Sequence, residues 1–428
     1  MRLEQKDLEY LRNLAMQVYD IALDEQWDEK RTLWIKKNSL IKTRPLIMCA
    51  LPVAAWREII TEKDLKIQDP VFRTYELELL KTIYRYHNLH DDIILNNKLY
   101  IPVKYTVIDW YEGRKRPFSA DGKSAECFHP SIIEYDDFKK IGRPEIVDID
   151  YKDTYLRYEE AKAVFGDLLD IEIGIPFHAN TDHAVFGSGN SILDIFIELR
   201  GYENVLEDVY EEPEWIHEVM SYMCECYEHY YDQLEEYHLL RYNSNEFIMG
   251  ADTCINSNGL TLTKELPAAG CDPTDVKTQD LWGYSEAQEF TVVSPEMLEE
   301  FVLPYQGRIA RWFGLNGYGC CENMHGKYEM IKKYIPNLKE FSITYTCDQE
   351  EAVEHVKDEY VYSWKPRTTD LITVYNEERI RDIMKTGFEI TKDCHVVASL
   401  RDTQTLYGEP ERIAKWCDIS MELAKGYE

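Results

Sequence analysis

The feature that most limits the fold of this chain is an alternation. From Asp280 to Lys425, short β-rich stretches and amphipathic stretches follow one another with links of only a few residues. Asp280-Leu-Trp-Gly-Tyr284, Gly314–Cys321, Leu338–Tyr345, Glu359–Trp364 and His395–Leu400 have strand character. Pro295–Phe313, His325–Tyr334, Glu350–Lys357, Asn376–Thr386 and Pro410–Lys425 have helical spacing, the first opened by Ser294 as N-cap with proline at the first helical position. Strands joined through helices cannot pair as hairpins, so the pattern predicts parallel βαβ units. Three earlier β-rich stretches, Arg44–Cys49, Leu99–Ile108 and Ile171–Phe177, bring the expected total to eight. That number suits a (β/α)8 TIM barrel, an α/β fold of about 250 residues. In a chain of 428 residues this leaves room for an N-terminal helical extension and insertions.

The expected organisation is a single domain over 1–428. Residues 1–95 form a mostly helical N-terminal extension with the first barrel elements. Residues 96–428 form the main barrel, with an insertion near 112–150, where Gly, Pro, Ser and Asp break any periodicity. The net charge of −31 excludes a nucleic-acid-binding role and binding to anionic membranes, because both need clustered Lys and Arg. The 11 cysteines are an odd number without the framework of a small secreted domain. The longest apolar run, Leu46 to Trp56, contains a proline and is about half the ~20 residues of a membrane span. The first residues are charged throughout, unlike a secretory signal. A cytoplasmic location is expected, with thiols that are buried, metal-binding or catalytic.

In a (β/α)8 barrel the chemistry lies at the carboxyl ends of the strands. Five successive strand ends here carry polar groups: Glu286 and Glu289; Cys320, Cys321 and Glu322; Cys347 and Asp348; Trp364 and Lys365; Arg401 and Asp402. Thiolates and a carboxylate in the turn Gly319-Cys-Cys-Glu322 point to a zinc-type metal, with Cys321 as the first ligand and Glu322 and Cys320 as further ones. Neighbouring residues of a strand face opposite sides, so both sulfurs reach one site only if a turn begins before them. Glu286, Glu289 and Asp402 are the candidate catalytic acids or bases. Trp282, Trp364 and His183 could wall an aromatic pocket, with His178 in the same loop. Lys365 and Arg401 could hold a carboxylate. His325 is a weaker ligand candidate. Cys394-His395 precedes its strand and falls at the opposite face, where packing is expected. Gly187-Ser-Gly-Asn190 lacks the lysine of a P-loop.

The order Asp280-Leu-Trp-Gly, Val293-Ser-Pro-Glu296, Phe301-Val-Leu-Pro304-Tyr and Gly-Cys-Cys-Glu resembles the uroporphyrinogen decarboxylase superfamily, as does Leu199-Arg-Gly-Tyr-Glu-Asn with Glu212-Pro-Glu214. The resemblance implies the (β/α)8 barrel of the uroporphyrinogen decarboxylase type. Its decarboxylase branch binds propionates through an arginine-rich N-terminal motif, absent here. Its methyltransferase branch is zinc-dependent and serves corrinoid proteins, with a His-x-Cys whose cysteine matches Cys321. The family histidine falls on Gly319, so oxygen ligands from Glu322, Glu289 or Asp348 are expected instead. The resemblance therefore implies a methyltransferase of the O-demethylase type. It would pass a methyl group from a methoxylated, aromatic donor to the Co(I) of a cobalamin-type corrinoid on a separate protein, because the chain has no Asp-x-His-x-x-Gly motif of its own. A second copy of the chain is a further expected partner. The alternatives are a metal-free decarboxylase or lyase on the same barrel, and a non-catalytic barrel that binds corrinoid proteins.

Overall fold

The computed structural model describes residues 3–108, 130–177, 192–244, 247–250 and 258–427. Ten strands occur among them: β1 (Leu46–Cys49), β2 (Lys98–Ile101), β3 (Thr106–Ile108), β4 (Glu145–Val147), β5 (Asp170–Ile173), β6 (Trp282–Ser285), β7 (Leu315–Tyr318), β8 (Leu338–Thr344), β9 (Val361–Lys365) and β10 (His395–Leu400). Six of them form one parallel sheet in the order β1-β10-β9-β8-β7-β6. A second parallel pair joins β2 to β5, and a small antiparallel pair joins β3 to β4. The protein is thus a mixed α/β fold, and the eight parallel strands lie where the sequence pattern puts them. The six-stranded ladder ends at β1 on one side and β6 on the other.

The free edge of β1 is covered by side chains. Ile47 and Cys49 donate their backbone N–H groups to Asp92 Oδ2 (2.7 Å) and Asp91 Oδ2 (2.8 Å). Each aspartate also meets an arginine, Arg44 Nη2 to Asp92 Oδ1 at 2.7 Å and Arg85 Nη1 to Asp91 Oδ2 at 2.9 Å. All four side chains are buried, so the charges are paired and the edge amides satisfied.

The two faces of the sheet differ, because side chains alternate along each strand. Phe341, Ile343, Tyr362, Trp364, Val396, Ala398 and Leu400 join the main core with residues of the helices Glu377–Ile390 and Glu411–Ala424. On the inner face, Leu46, Met48, Val361 and Val397 pack with Trp34 of the helix Gln26–Asn38 and with Phe247. That helix thus covers the amino side of these strands. The expected single helix from Pro295 to Phe313 is two, Pro295–Phe301 and Leu303–Ala310. Val302 leaves helical geometry (φ −123°, ψ −55°), and Pro304 has no N–H to continue the ladder.

Candidate active site

The carboxyl ends of β6, β7, β9 and β10 converge, and Gly319 explains how. Its φ of +100° ends β7 at Tyr318 and breaks the alternation. A Cβ at Gly319 would stand 3.2 Å from the Ser342 carbonyl, so the turn needs both the freedom and the space of glycine. Both sulfurs consequently reach one place: Cys320 Sγ and Cys321 Sγ are 3.7 Å apart. Arg401, from the end of β10, donates through Nη2 to both, at 3.3 Å and 3.0 Å. Asp402 (φ +60°) accepts from Arg401 Nε at 2.7 Å. Asp402 therefore orients the guanidinium and, largely exposed, does not enter the site as an acid.

The two thiols titrate apart. The hydrogen bond from Cys320 draws the Cys321 pKa down to about 7, and Arg401 and Lys365 add to this against burial. The same hydrogen bond, with burial, pushes Cys320 well up. Cys321 is therefore the first of the pair to ionise, and Cys320 the one that keeps its proton. Glu322 takes another role than the expected ligand. Its Oε1 accepts from Ala287 N (3.0 Å) and its Oε2 from Cys320 N (2.6 Å), so it braces the ends of β6 and β7.

Beyond β6 lies a second cluster. One oxygen each of Asp194, Glu286 and Glu289 lies within 4.8 Å of the others. Asp194 comes from the helix Ile192–Arg200 and has no equivalent among the candidates named from the sequence. The only cue was the acidic residue at the start of a strongly apolar helix. Burial, and then the hydrogen bond to Asp194, push Glu289 up to about 9. Burial pushes Asp194 up to about 7, despite the hydrogen bond from Glu289. Burial and the neighbouring Glu289, Glu322 and Cys320 push Glu286 well above the carboxylate range. Glu286 is buried; Oε2 accepts from Gln288 N at 3.0 Å, and the carboxyl also bonds with Asp194. Like charges this close must share protons or gather around a cation.

The remaining candidates divide. Lys365 is buried on the inner face beside the sulfurs and donates to Ser342 Oγ. Burial, and then Arg401, hold its pKa down to about 8. Trp364 faces the other way: its ring packs on Phe388 at 6.0 Å and fills the space above Gly387, where a Cβ would come within 2.1 Å of it. The expected aromatic wall is wrong there because Trp364 and Lys365 are strand neighbours with opposite directions. Trp282 opens β6, four residues before Glu286, and its Nε1 donates to Thr261 O at 2.9 Å. It belongs to the apolar cluster of Leu260, Leu266 and Leu315 rather than to a pocket at the strand ends. His325 is exposed and pairs with Glu351 at 2.9 Å. Asp348 caps the helix Gln349–Val356. His395 starts β10 at the opposite end, where packing was expected. His178 and His183 lie outside the described residues.

The zinc implied by the resemblance can be tested against these donors. Two sulfurs bound at ~2.3 Å to a tetrahedral ion stand about 3.75 Å apart, and the pair here stands at 3.7 Å. Cys320 and Cys321 thus fit two corners of such a site, with the guanidinium now on the same sulfurs. Both Glu322 oxygens accept backbone amides, so as a third corner it would bind through its remaining lone pairs.

No protein-family model matches the chain. No curated protein matches it either. Among solved structures, a methyltransferase from Methanosarcina mazei is similar with a TM-score of 0.49 and 8% identity, over 92% of this chain and 98% of that one. Among the described residues, no helix is long and apolar enough to cross a membrane.

Proposed function

We propose that the protein is a methyltransferase that takes a methyl group from a methoxylated small molecule, of aromatic type, and delivers it to the Co(I) of a corrinoid carried by a separate protein. The observation that carries this reading is the carboxyl cluster of Asp194, Glu286 and Glu289, which retains protons at neutral pH beside the sulfurs. An ether methyl is hard to move because its leaving alkoxide is basic. Protonating the ether oxygen as the carbon–oxygen bond breaks removes that obstacle. The methyl carbon passes to the acceptor, both bonding electrons stay with oxygen, and the proton comes from the cluster. Glu289 and Glu286 are the donors, and Asp194 holds the conjugate charge through its hydrogen bond with Glu289.

Cys320 and Cys321 would hold zinc, which would add Lewis acidity toward the same oxygen. Cys320, and then Arg401, favour the Cys321 thiolate, and Asp402 holds Arg401 in place. Glu322 fixes the distance between the two corners by bonding to both strand ends.

The test is incubation of the purified chain with a panel of methoxyarenes and Co(I) cobalamin, following the cobalt spectrum and the released phenol together. Methylation of cobalt with an equal yield of phenol is expected. Release of CO2 from a carboxylated substrate, with the cobalt spectrum unchanged, would instead establish the decarboxylase alternative.

A further inference from the structure

The inner face of the sheet changes character along the strands. Near the amino ends it is apolar, with Leu46, Val361 and Val397 against Trp34. Toward the carboxyl ends it carries Ser342, Ser363, Lys365 and Ser399, all buried, with Glu340 opposite Val361 on the amino side. The register makes them neighbours: Ser342 stands opposite Ser363, and Thr344 opposite Lys365. Ser399 lies two residues beyond Val397, which pairs with Ser363, so it flanks Lys365 on the other side. Asn258 reaches the same group, since its carbonyl accepts from Ser363 Oγ at 3.1 Å and its side chain lies beside the Tyr284 hydroxyl. Leu260 and Tyr284 pack closely over Gly317, where a Cβ would meet them at 3.0 and 3.1 Å.

Several of these polar atoms have no partner within the chain. They include the hydroxyl of Ser399 and the amide oxygen of Asn258, while the Asn258 amide also bonds to Tyr284. Buried polar groups in folded proteins are hydrogen-bonded, so a set like this needs a ligand or water to complete it. We propose that the set completed by Asn258, Lys365 and Ser399 is the recognition site for the carboxylate of a small organic acid, held with its other end toward the sulfurs of Cys320 and Cys321.

The donors decide the charge of the ligand. An ammonium and a hydroxyl stand on neighbouring strands, and Asn258 bonds to Ser363 two residues before Lys365, a set of donors that suits an acceptor with two oxygens. Hydrogen bonds commit the other nearby cations: Arg401 to the sulfurs and Asp402, and Lys37 to Gly259 O at 3.2 Å with Glu340 at 4.0 Å. One ammonium facing the ligand matches a monoanion, which favours a carboxylate over phosphate. Glu340 does not repel it at neutral pH, because burial raises its pKa to about 8. A buried cation in a chain of net charge −31 is a local feature, against the field of the whole surface. The position under the sulfurs makes the carboxylate the anchoring end of the substrate. In that respect the inference rests on the proposed methyl transfer, whereas binding itself does not.

The experiment is calorimetric titration of the full chain at pH 7 with 4-methoxybenzoate, benzoate, methyl 4-methoxybenzoate and inorganic phosphate. The two carboxylates are expected to bind, with the ester at least tenfold weaker and phosphate showing no binding. Lys365→Met should weaken 4-methoxybenzoate at least tenfold and Ser399→Ala about threefold, each variant first shown to be folded by circular dichroism. A misfolded Lys365→Met leaves Ser399→Ala and the comparison of acid with ester on the wild type as the readout. Equal binding of acid and ester, or no carboxylate binding (water alone filling the site), overturns the proposal. Methyl transfer from a neutral methoxyarene with no carboxylate binding would sink this inference alone. Carboxylate binding without any methyl transfer would sink the functional reading alone.

Discussion

At the sulfur corner, Cys321 is pulled down toward neutrality by Cys320 and Arg401; at the carboxyl corner, Asp194, Glu286 and Glu289 are pushed up by burial and by one another. The two corners are joined by Glu322, which bonds to Ala287 after β6 and to Cys320 after β7. They show how one site can hold a charged soft nucleophile or ligand and an uncharged acid at the same pH. The Cys320 hydrogen bond, and then Arg401, lower Cys321, whereas burial first of all raises the three carboxyls, so the contrast arises from the hydrogen-bond partner at one corner and from desolvation at the other.

The largest effect should come from removing the acid. Glu289→Gln and Glu286→Gln are each expected to lower kcat for methyl transfer from a methoxyarene by about 10²–10⁴-fold. A donor with a weakly basic leaving group, such as a nitrophenyl methyl ether, should suffer much less. Steady-state kinetics on both donors checks this, and an equal loss on both would mean that the carboxyls position rather than protonate.

The sulfur corner can be tested by alkylation with iodoacetamide across pH. The wild type should show a fast thiol with an apparent pKa near 7, lost in Cys321→Ser. Because the bond from Cys320 outweighs the charge of Arg401, Cys320→Ala should slow the reaction at pH 7 more than Arg401→Met does. Roughly tenfold is expected for a return toward the ordinary thiol pKa. The reverse order would make Arg401 the dominant influence.

A smaller effect separates the corners through stability. Glu289 holds its proton more tightly folded (about 9) than unfolded (roughly 4.3). The folded state therefore binds more protons between those values, and its stability is full below about pH 4 and declines as pH rises through about 9. Thermal melts of Glu289→Gln should show a flatter decline over this range than the wild type. A parallel decline would place the titrating group elsewhere.

Much of this was legible in the sequence. The short-linked alternation from Asp280 onward placed β6 to β10, and the three earlier strands fell on β1, β2 and β5. Glu286, Glu289, Cys320, Cys321, Lys365 and Arg401 meet near the strand ends because strand ends in a parallel sheet converge. What the sequence hid was direction and distance. Nothing local says that Glu322 turns back onto two backbone amides, or that Gly319 brings both sulfurs to one side. Asp194 was hidden for another reason: its partners lie about ninety residues away, and only the packing of the helix Ile192–Arg200 joins them.

Trp364 and Lys365 give the most economical check on direction, since they are adjacent on β9 and face opposite layers. Trp364 lies in the space left by Gly387 and against Phe388, remote from any ligand on the inner face. Trp364→Phe shrinks a buried ring without changing polarity, so its cost should be one of packing, about 1–3 kcal/mol in denaturant unfolding. KM for a methoxylated donor and the apparent pKa of Cys321 should both stay within about twofold of wild type, unlike the tenfold loss of carboxylate binding expected at the next residue. A large rise in KM with unchanged stability would put the Trp364 ring on the substrate side and reverse the assignment of the two faces, and with it the placement of Lys365.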